Sequence, residues 1–442
     1  MRRPPTRGWN SFDSFGVVAD EQALLDNLDV FAERLLPHGY DTFVLDAGWF
    51  RQYHRVPGRR FPVAIGGSPV KSYVVDEHAR YRPAKDMFPS GFAPIVDRCR
   101  ALGIRFGLHL MRGIPKQAAD GEATILGTDC TASDLADRDT TCFWCSDNYG
   151  VRPDHPAAAA YYDSVIQLVT DWGVDFLKID DLVPYPREIE LIADAIAKID
   201  RPIELSLSPG GRLRTSDLPT YRRADMLRVT SDVSDRPEDI AKSFKAMELW
   251  QGQEQDDFAI DLDMIPFGEL SVWNHGDLPV GAEALVYGEG SRRQSQFTPA
   301  QKRTFMAQRA LAASPLFMGG HLPNTPDEDF ELLTNPRLLA CQANGVMARS
   351  VQFHGNWMAF HVADRDNASA GWLGLFNRRN DKLSIDVALL SLDVSHVSVD
   401  VEDVWSGETS TWKNRAQITL PADDVAFVRY EAATHAQPDP GV

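Results

Sequence analysis

Trp172-Gly173-Val174-Asp175-Phe176-Leu177-Lys178-Ile179-Asp180 is an apolar run that starts behind a glycine and ends in a carboxylate. Upstream, Tyr161, Val165, Leu168, Val169 and Trp172 recur at helical spacing. Residues 156–172 are therefore predicted to form a helix with one buried stripe, Pro156 in its first turn and Gly173 as its C-cap. Val174–Asp180 then reads as a strand buried along most of its length. The pattern has a precedent nearer the start of the chain. Leu24, Leu28, Phe31 and Leu35 lie on one helical face behind a capping Asp20, Pro37-His38-Gly39 stops the helix, and Thr42-Phe43-Val44-Leu45-Asp46 again ends in a carboxylate.

Six further runs suit the same role: 8–12, 105–110, 203–207, 226–230, 258–263 and 315–319. With the two above they make the set of strands that closes a (β/α)₈ barrel, against the alternative of an open doubly wound sheet. Beyond about residue 325 the texture changes. Segments 357–362, 371–377, 383–387, 397–401 and 425–430 alternate with period two between Asn, Asp and Gly turns, which predicts an antiparallel β-sandwich. The expected division is a barrel over 1–325 and a β domain over 326–442, with disorder in the last ten residues only.

The chain has 442 residues, enough for a barrel with an appendage. Lys and Arg number 45 against 63 Asp and Glu, a formal net charge of −18. An acidic surface with no basic cluster repels polyphosphate and anionic lipid, which argues against nucleic acid as a partner. No apolar run approaches the ~18–20 residues that cross a bilayer, so no membrane association is expected. Met1-Arg2-Arg3 starts like a secretion signal, but Gly8-Trp9-Asn10-Ser11-Phe12 stands where the apolar stretch would follow. Five cysteines in this length are no disulfide framework, and the expected compartment is cytoplasmic. A homo-oligomer is compatible with the sequence.

In such a barrel the chemistry sits at the C-terminal ends of the strands. Those ends carry Asp46, His109 to Arg112, Lys178 with Asp180 and Asp181, Ser206 to Gly210, Arg228 with Asp232, and Asp263. Carboxylates at the ends of buried strands must be paired, hydrogen-bonded or chemically active, because an unpaired buried charge is costly. Two carboxylates converging on one pocket, without metal-ligand spacing nearby, suit glycosidic cleavage: one meets the oxocarbenium centre and the other shuttles a proton.

Gly8-Trp9-Asn10-Ser11-Phe12, Leu45-Asp46-Ala47-Gly48-Trp49, the run 172–180, Asp261-Leu262-Asp263-Met264 and Ser314-Pro315-Leu316 stand in the order found in glycoside hydrolase family 27, and residues 4–325 resemble that family. The resemblance implies a retaining exo-glycosidase of the α-galactosidase type with a carbohydrate substrate and no metal or organic cofactor. It further implies Asp180 as nucleophile, Asp232 as acid/base, Asp46, Lys178, Arg228 and Asp263 as sugar-binding residues, and Trp9 as a pocket wall. The chemistry is coherent. Lys178 points to the same side as Asp180 and can hold it ionised, whereas Asp232 needs a raised pKa to donate a proton. Asp225 and Asp235 compete with Asp232, the latter as a cap for the next helix. Asp181 should point away from the pocket.

The sequence departs from the family pattern at several positions. The family's two adjacent acids after the second strand are here Asp46 and Ala47, and losing a charged acceptor for a sugar hydroxyl could cost about 1.5–3 kcal/mol of selectivity. That brings β-L-arabinopyranosides and α-glucosides into view beside α-D-galactosides. His109 is read as a core histidine or a sugar contact, and Arg112 as a rim ion pair or a substrate ligand. Ser208, where relatives carry Trp nearby, leaves room for a 2-substituent and hence for α-N-acetylgalactosaminides. Trp144 is a candidate for stacking on the sugar; Trp49 is wall or core. Cys142 and Cys145, with Cys130 upstream, lack a fourth ligand for zinc and are read as free thiols or a redox pair. Two rivals remain: a Schiff-base aldolase using Lys178, although two flanking carboxylates would raise its pKa, and a catalytically dead sugar-binding barrel.

Overall fold

The computed structural model describes residues 4–54, 70–209, 213–274 and 290–433. The signal-like start at 1–3, Gly210 of the rim and all but the first of the last ten residues lie outside them. Eight short strands run parallel: β1 (Arg7–Asn10), β2 (Thr42–Leu45), β3 (Arg105–Met111), β4 (Phe176–Asp180), β5 (Glu204–Leu207), β6 (Met226–Arg228), β7 (Ala259–Asp261) and β8 (Leu316–Met318). They hydrogen-bond in the order β7-β6-β5-β4-β3-β2-β1-β8. The two ends of that row meet. Ile265, just after β7, donates its N–H to Phe317 O (2.8 Å), and Gly319 donates to Ile265 O (3.0 Å). The ring is therefore closed and the open doubly wound sheet is ruled out.

Strand alternation sorts the apolar residues into two cores. Val44, Phe176, Met226, Met264 and Phe317 fill the barrel interior. Residues pointing outward meet the helices. The helix Glu21–Arg34 buries Leu24, Leu28 and Phe31, with Asp20 accepting the Ala23 N–H (2.8 Å) as its cap. The helix expected from Pro156 starts two residues later, at Ala158, and ends at Asp171; Gly173 then takes φ +90° to turn the chain into β4.

After β8 come two helices, Asp327–Leu333 and Pro336–Asn344, whose Phe330, Leu333, Leu338 and Leu339 join the barrel's outer core. The antiparallel strands follow: β9 (Arg349–His354), β10 (Trp357–Ala363), β11 (Ala370–Asn377), β12 (Leu383–Ala388), β13 (Ser398–Asp403), β14 (Thr409–Lys413), β15 (Arg415–Leu420) and β16 (Val425–Ala432). They form one sheet in the order β9-β10-β11-β16-β13-β14-β15-β12. The sheet curls over its own core of Leu373, Leu375, Val387, Val399, Val401 and Tyr430. Its ends approach where Gln352 of β9 bonds to Ser391 O just beyond β12 (2.8 Å). The opposite face lies on the barrel helices: Phe376 meets Phe244 edge-on at 5.0 Å, and Arg303 pairs with Asp424 (3.0 Å). Among the described residues no helix is long and apolar enough to cross a membrane.

Candidate active site

The C-terminal ends of the barrel strands open into a cleft of about 420 Å³. Asp46, His109, Lys178, Asp180, Arg228, Asp232 and Asp263 all line it. Lys178 and Asp180 are two apart on β4 and so share a face. Lys178 Nζ donates to Asp46 Oδ2 at 2.7 Å, and Asn10 Nδ2 donates to the same oxygen at 2.8 Å. His109 Nε2 lies 3.2 Å from Asp180 Oδ2, while Asp180 Oδ1 is buried without a protein partner.

These contacts set the charges. Burial alone would raise the Asp180 pKa, but Lys178, then His109 and Arg228, outweigh it and hold the carboxyl well below the usual range. Asp46 is lowered in the same way, burial being overcome chiefly by Lys178. Burial would lower the lysine, yet Asp46 and Asp180 raise it, so the amine is an ammonium at neutral pH. That is the wrong state for Schiff-base chemistry, and the aldolase rival loses its nucleophile.

Arg228 ties the opposite wall together. Its guanidinium pairs with Asp232, lies 3.4 Å from Asp263 Oδ1 and donates to Thr230 O (3.1 Å). Asp263, at φ +75°, accepts the Val233 N–H at 2.8 Å and so fixes the loop that carries Asp232. Burial raises its pKa, with Arg228 opposing. Asp232 stands four residues beyond Arg228 on the rim with its side chain 69% exposed. The apolar surroundings expected for an acid are therefore not supplied at this carboxylate by the barrel walls. Its two competitors are engaged elsewhere. Asp225 accepts the Leu205 N–H (2.7 Å), near the start of β5, and Asp235 pairs with Arg293 (2.5 Å) and accepts Gln296 N–H (2.8 Å).

Three expected substrate contacts are corrected. Trp9 is fully buried on the outer face of β1, stacked on Phe43 at 4.5 Å, because alternation sends Asn10 and not Trp9 inward. The wall is Phe12, which the chain brings round as it turns into the single helical turn Phe12–Phe15. Arg112 does not line the cleft. Its guanidinium is held by Asp181 (3.0 Å) and Glu188 (2.7 Å) over the Tyr185 ring, and its own N–H donates to Asp180 O (3.0 Å). Ser208 is buried below the surface, where its Oγ accepts from Arg228 (3.3 Å), so the argument for space at a 2-substituent falls. Trp144 does line the cleft and Trp49 is core, its indole N–H on His109 O (2.9 Å).

Arg51 and Cys145 also line the cleft and escaped the sequence reading as contacts. Arg51 is clamped by Asp147 (2.9 Å) and lies 3.4 Å from the Cys145 sulfur. Burial pushes the Cys142 and Cys145 thiols up to about 12, so both are protonated and poorly nucleophilic. All five cysteines are unpaired, and among the described residues no group of His, Cys, Asp and Glu is placed to hold a metal ion.

No protein-family model matches the chain. A solved β-L-arabinopyranosidase of glycoside hydrolase family 27 from Geobacillus stearothermophilus, in complex with arabinose, is 31% identical with a TM-score of 0.87, over 98% of each chain. The chain belongs to glycoside hydrolase family 27. It is accordingly a glycoside hydrolase. Alpha-galactosidase A of Cellvibrio japonicus is 21% identical over 97% of this chain and 92% of its own. The α-N-acetylgalactosaminidase of Rattus norvegicus is 25% identical over 86% and 78%. Against the family 27 pattern, Ala47 stands at the cleft wall beside Asp46, to which it donates its N–H (2.8 Å).

Proposed function

We propose that this chain hydrolyses terminal α-D-galactosides with retention, by double displacement. Two carboxylates from opposite walls of one cleft, with the Arg228 guanidinium bonded to one and electrostatically coupled to the other, carry the reading. Asp180, held ionised and with one oxygen unclaimed, attacks C1. Asp232 gives its proton to the departing oxygen and later takes one from the water that releases the sugar. The ammonium of Lys178 and the carboxylate of Asp46 face the sugar hydroxyls. Cover from bound substrate supplies the desolvation that Asp232 needs as an acid.

One observation favours a second sugar in the same pocket. Ala47 offers no carboxylate at the position where many relatives hold a sugar hydroxyl. β-L-Arabinopyranose matches α-D-galactopyranose at the remaining ring carbons and lacks only the C5 hydroxymethyl group. The 31% identical relative described as a β-L-arabinopyranosidase supports this. With Ser208 withdrawn, the 2-acetamido sugar has no support from the pocket. Cytoplasmic action is part of the proposal and rests on the cysteine usage.

The test is kcat/KM for the 4-nitrophenyl α-D-galactoside and β-L-arabinopyranoside, with NMR of the first anomer released. Turnover of at least one, with anomeric configuration kept, is expected. Ala47→Asp should move the ratio toward the galactoside. An inverted product, or no turnover of either sugar, overturns the reading.

A further inference from the structure

Exposure changes steeply along the cleft. Asp46, Arg228 and Asp263 are buried, the Asp180 side chain is 17% exposed, and that of Asp232 is 69% exposed. The glycone therefore sits among the buried groups, and the leaving group, which must touch Asp232, projects to the mouth. Phe143, also at the cleft, is 86% exposed and meets Trp144 edge-on at 4.8 Å and 86°. An aromatic ring left this open is a large apolar surface waiting for cover. On the other side of the mouth Arg293 has its charge taken up by Asp235 (2.5 Å) and hydrogen-bonds Ser234 (3.3 Å), so it offers little to an anion. Pro266 and Leu270 add apolar wall.

We infer that Phe143 and Trp144 form a ledge for the leaving group, and that the group it takes is flat and apolar, an aryl aglycone rather than a second sugar. Phe143 carries no polar atom, and an exposed phenyl ring pairs with the face of another aromatic ring more completely than with the mixed C–H and O–H face of a sugar. The inference rests on the hydrolase reading above. It adds to that reading the class of molecule beyond the scissile bond.

Phe143→Ala and Phe143→Tyr are compared with the parent on three substrates sharing one glycone: a phenyl-type glycoside, a disaccharide and the glycosyl fluoride. The fluoride leaves readily and is too small to reach the ledge. The expected result is a fall of about 3- to 10-fold in the kcat/KM ratio of aryl glycoside to fluoride for Phe143→Ala, restored in Phe143→Tyr. An unchanged ratio overturns the ledge. So does a fall confined to the disaccharide, which would make it a sugar site, or a parallel loss on all three, which would make Phe143 structural. A parent protein inactive on every glycone tried would instead sink the hydrolase reading itself.

Discussion

Lys178 donates an ammonium N–H to Asp46 Oδ2, 2.7 Å away across the barrel mouth, and acts on Asp180 only through its field. Asp46 is fully buried and the Lys178 side chain largely so, and each is the other's compensation. Lys178→Met should strand the Asp46 charge and lower folding stability by about 3–5 kcal/mol, read from urea midpoints. Adding Asp46→Asn should return part of that loss. Neither variant should regain activity, since both remove polar groups facing the glycone. A double variant no more stable than the single would show that the two charges are independent.

Asp232→Ala should separate substrates by leaving group. An acid catalyst matters most where the departing oxygen is basic, so kcat/KM for alkyl glycosides should fall by about 10²–10⁴ while nitrophenyl glycosides retain much more of theirs. Added azide should restore part of the turnover on activated substrates. Equal losses on both substrate types would move the acid role to another carboxyl.

Asp261 gives a pH signature that is independent of activity. It lies one turn of chain below Asp263, to whose N–H it bonds at 2.8 Å. Burial, then the neighbouring Asp263, pushes it up to about 6. The folded protein thus holds this proton more tightly than the unfolded chain. Its contribution is full below the ordinary carboxylate range and is lost as pH rises through about 6. Asp261→Asn should therefore be more stable than the parent by about 1–3 kcal/mol above pH 7, and the gap should close near pH 4. A pH-independent difference between the two unfolding curves would refute the shift.

Arg112 should behave as a positioning residue beneath the nucleophile. It grips Asp181, the residue after Asp180, and at the same time Glu188 on the following helix (Pro186–Ala197). Arg112→Lys keeps a charge without the planar fork and should lower kcat more than it changes KM, with partial stability. Arg112→Met takes the guanidinium from two buried carboxyls and should cost several times more stability. A loss seen only in KM would return Arg112 to the substrate.

The barrel was legible because its signals are local. Each strand is a short apolar run bounded by a helix stop and a polar end, so Asp46, Lys178, Asp180 and Asp263 could be set on the rim from their place at strand ends. Facing was legible only where the register was known. On β1 the period of two puts Asn10 inward and Trp9 outward, whereas the family resemblance implies Trp9 as the wall, and Phe12 reaches the cleft through a turn that no periodicity announces. Of the two readings open for Arg112, the structure shows the ion pair and not the substrate ligand, and the sequence could not choose between them. The partner Glu188 lies 76 residues away, and only the closed fold brings the two together. Strand β14 was missed because it is mostly exposed and offers only Trp412 as an apolar residue, while β9 and β15 do alternate but over short runs with half of their residues exposed.

The helix Pro299–Leu311 lies between the barrel and the curled sheet, tied to the latter by Arg303 to Asp424 and by the Thr304 hydroxyl to Asp423 O (2.7 Å). Phe244, Phe360, Phe376 and Phe427 form one continuous apolar seam with it. A polypeptide stopped after Asn344 would leave that seam wet and should precipitate rather than work as a smaller enzyme. The rear sheet thus acts as a structural wall of the barrel, and cutting the two apart would cost solubility on both sides of the cut.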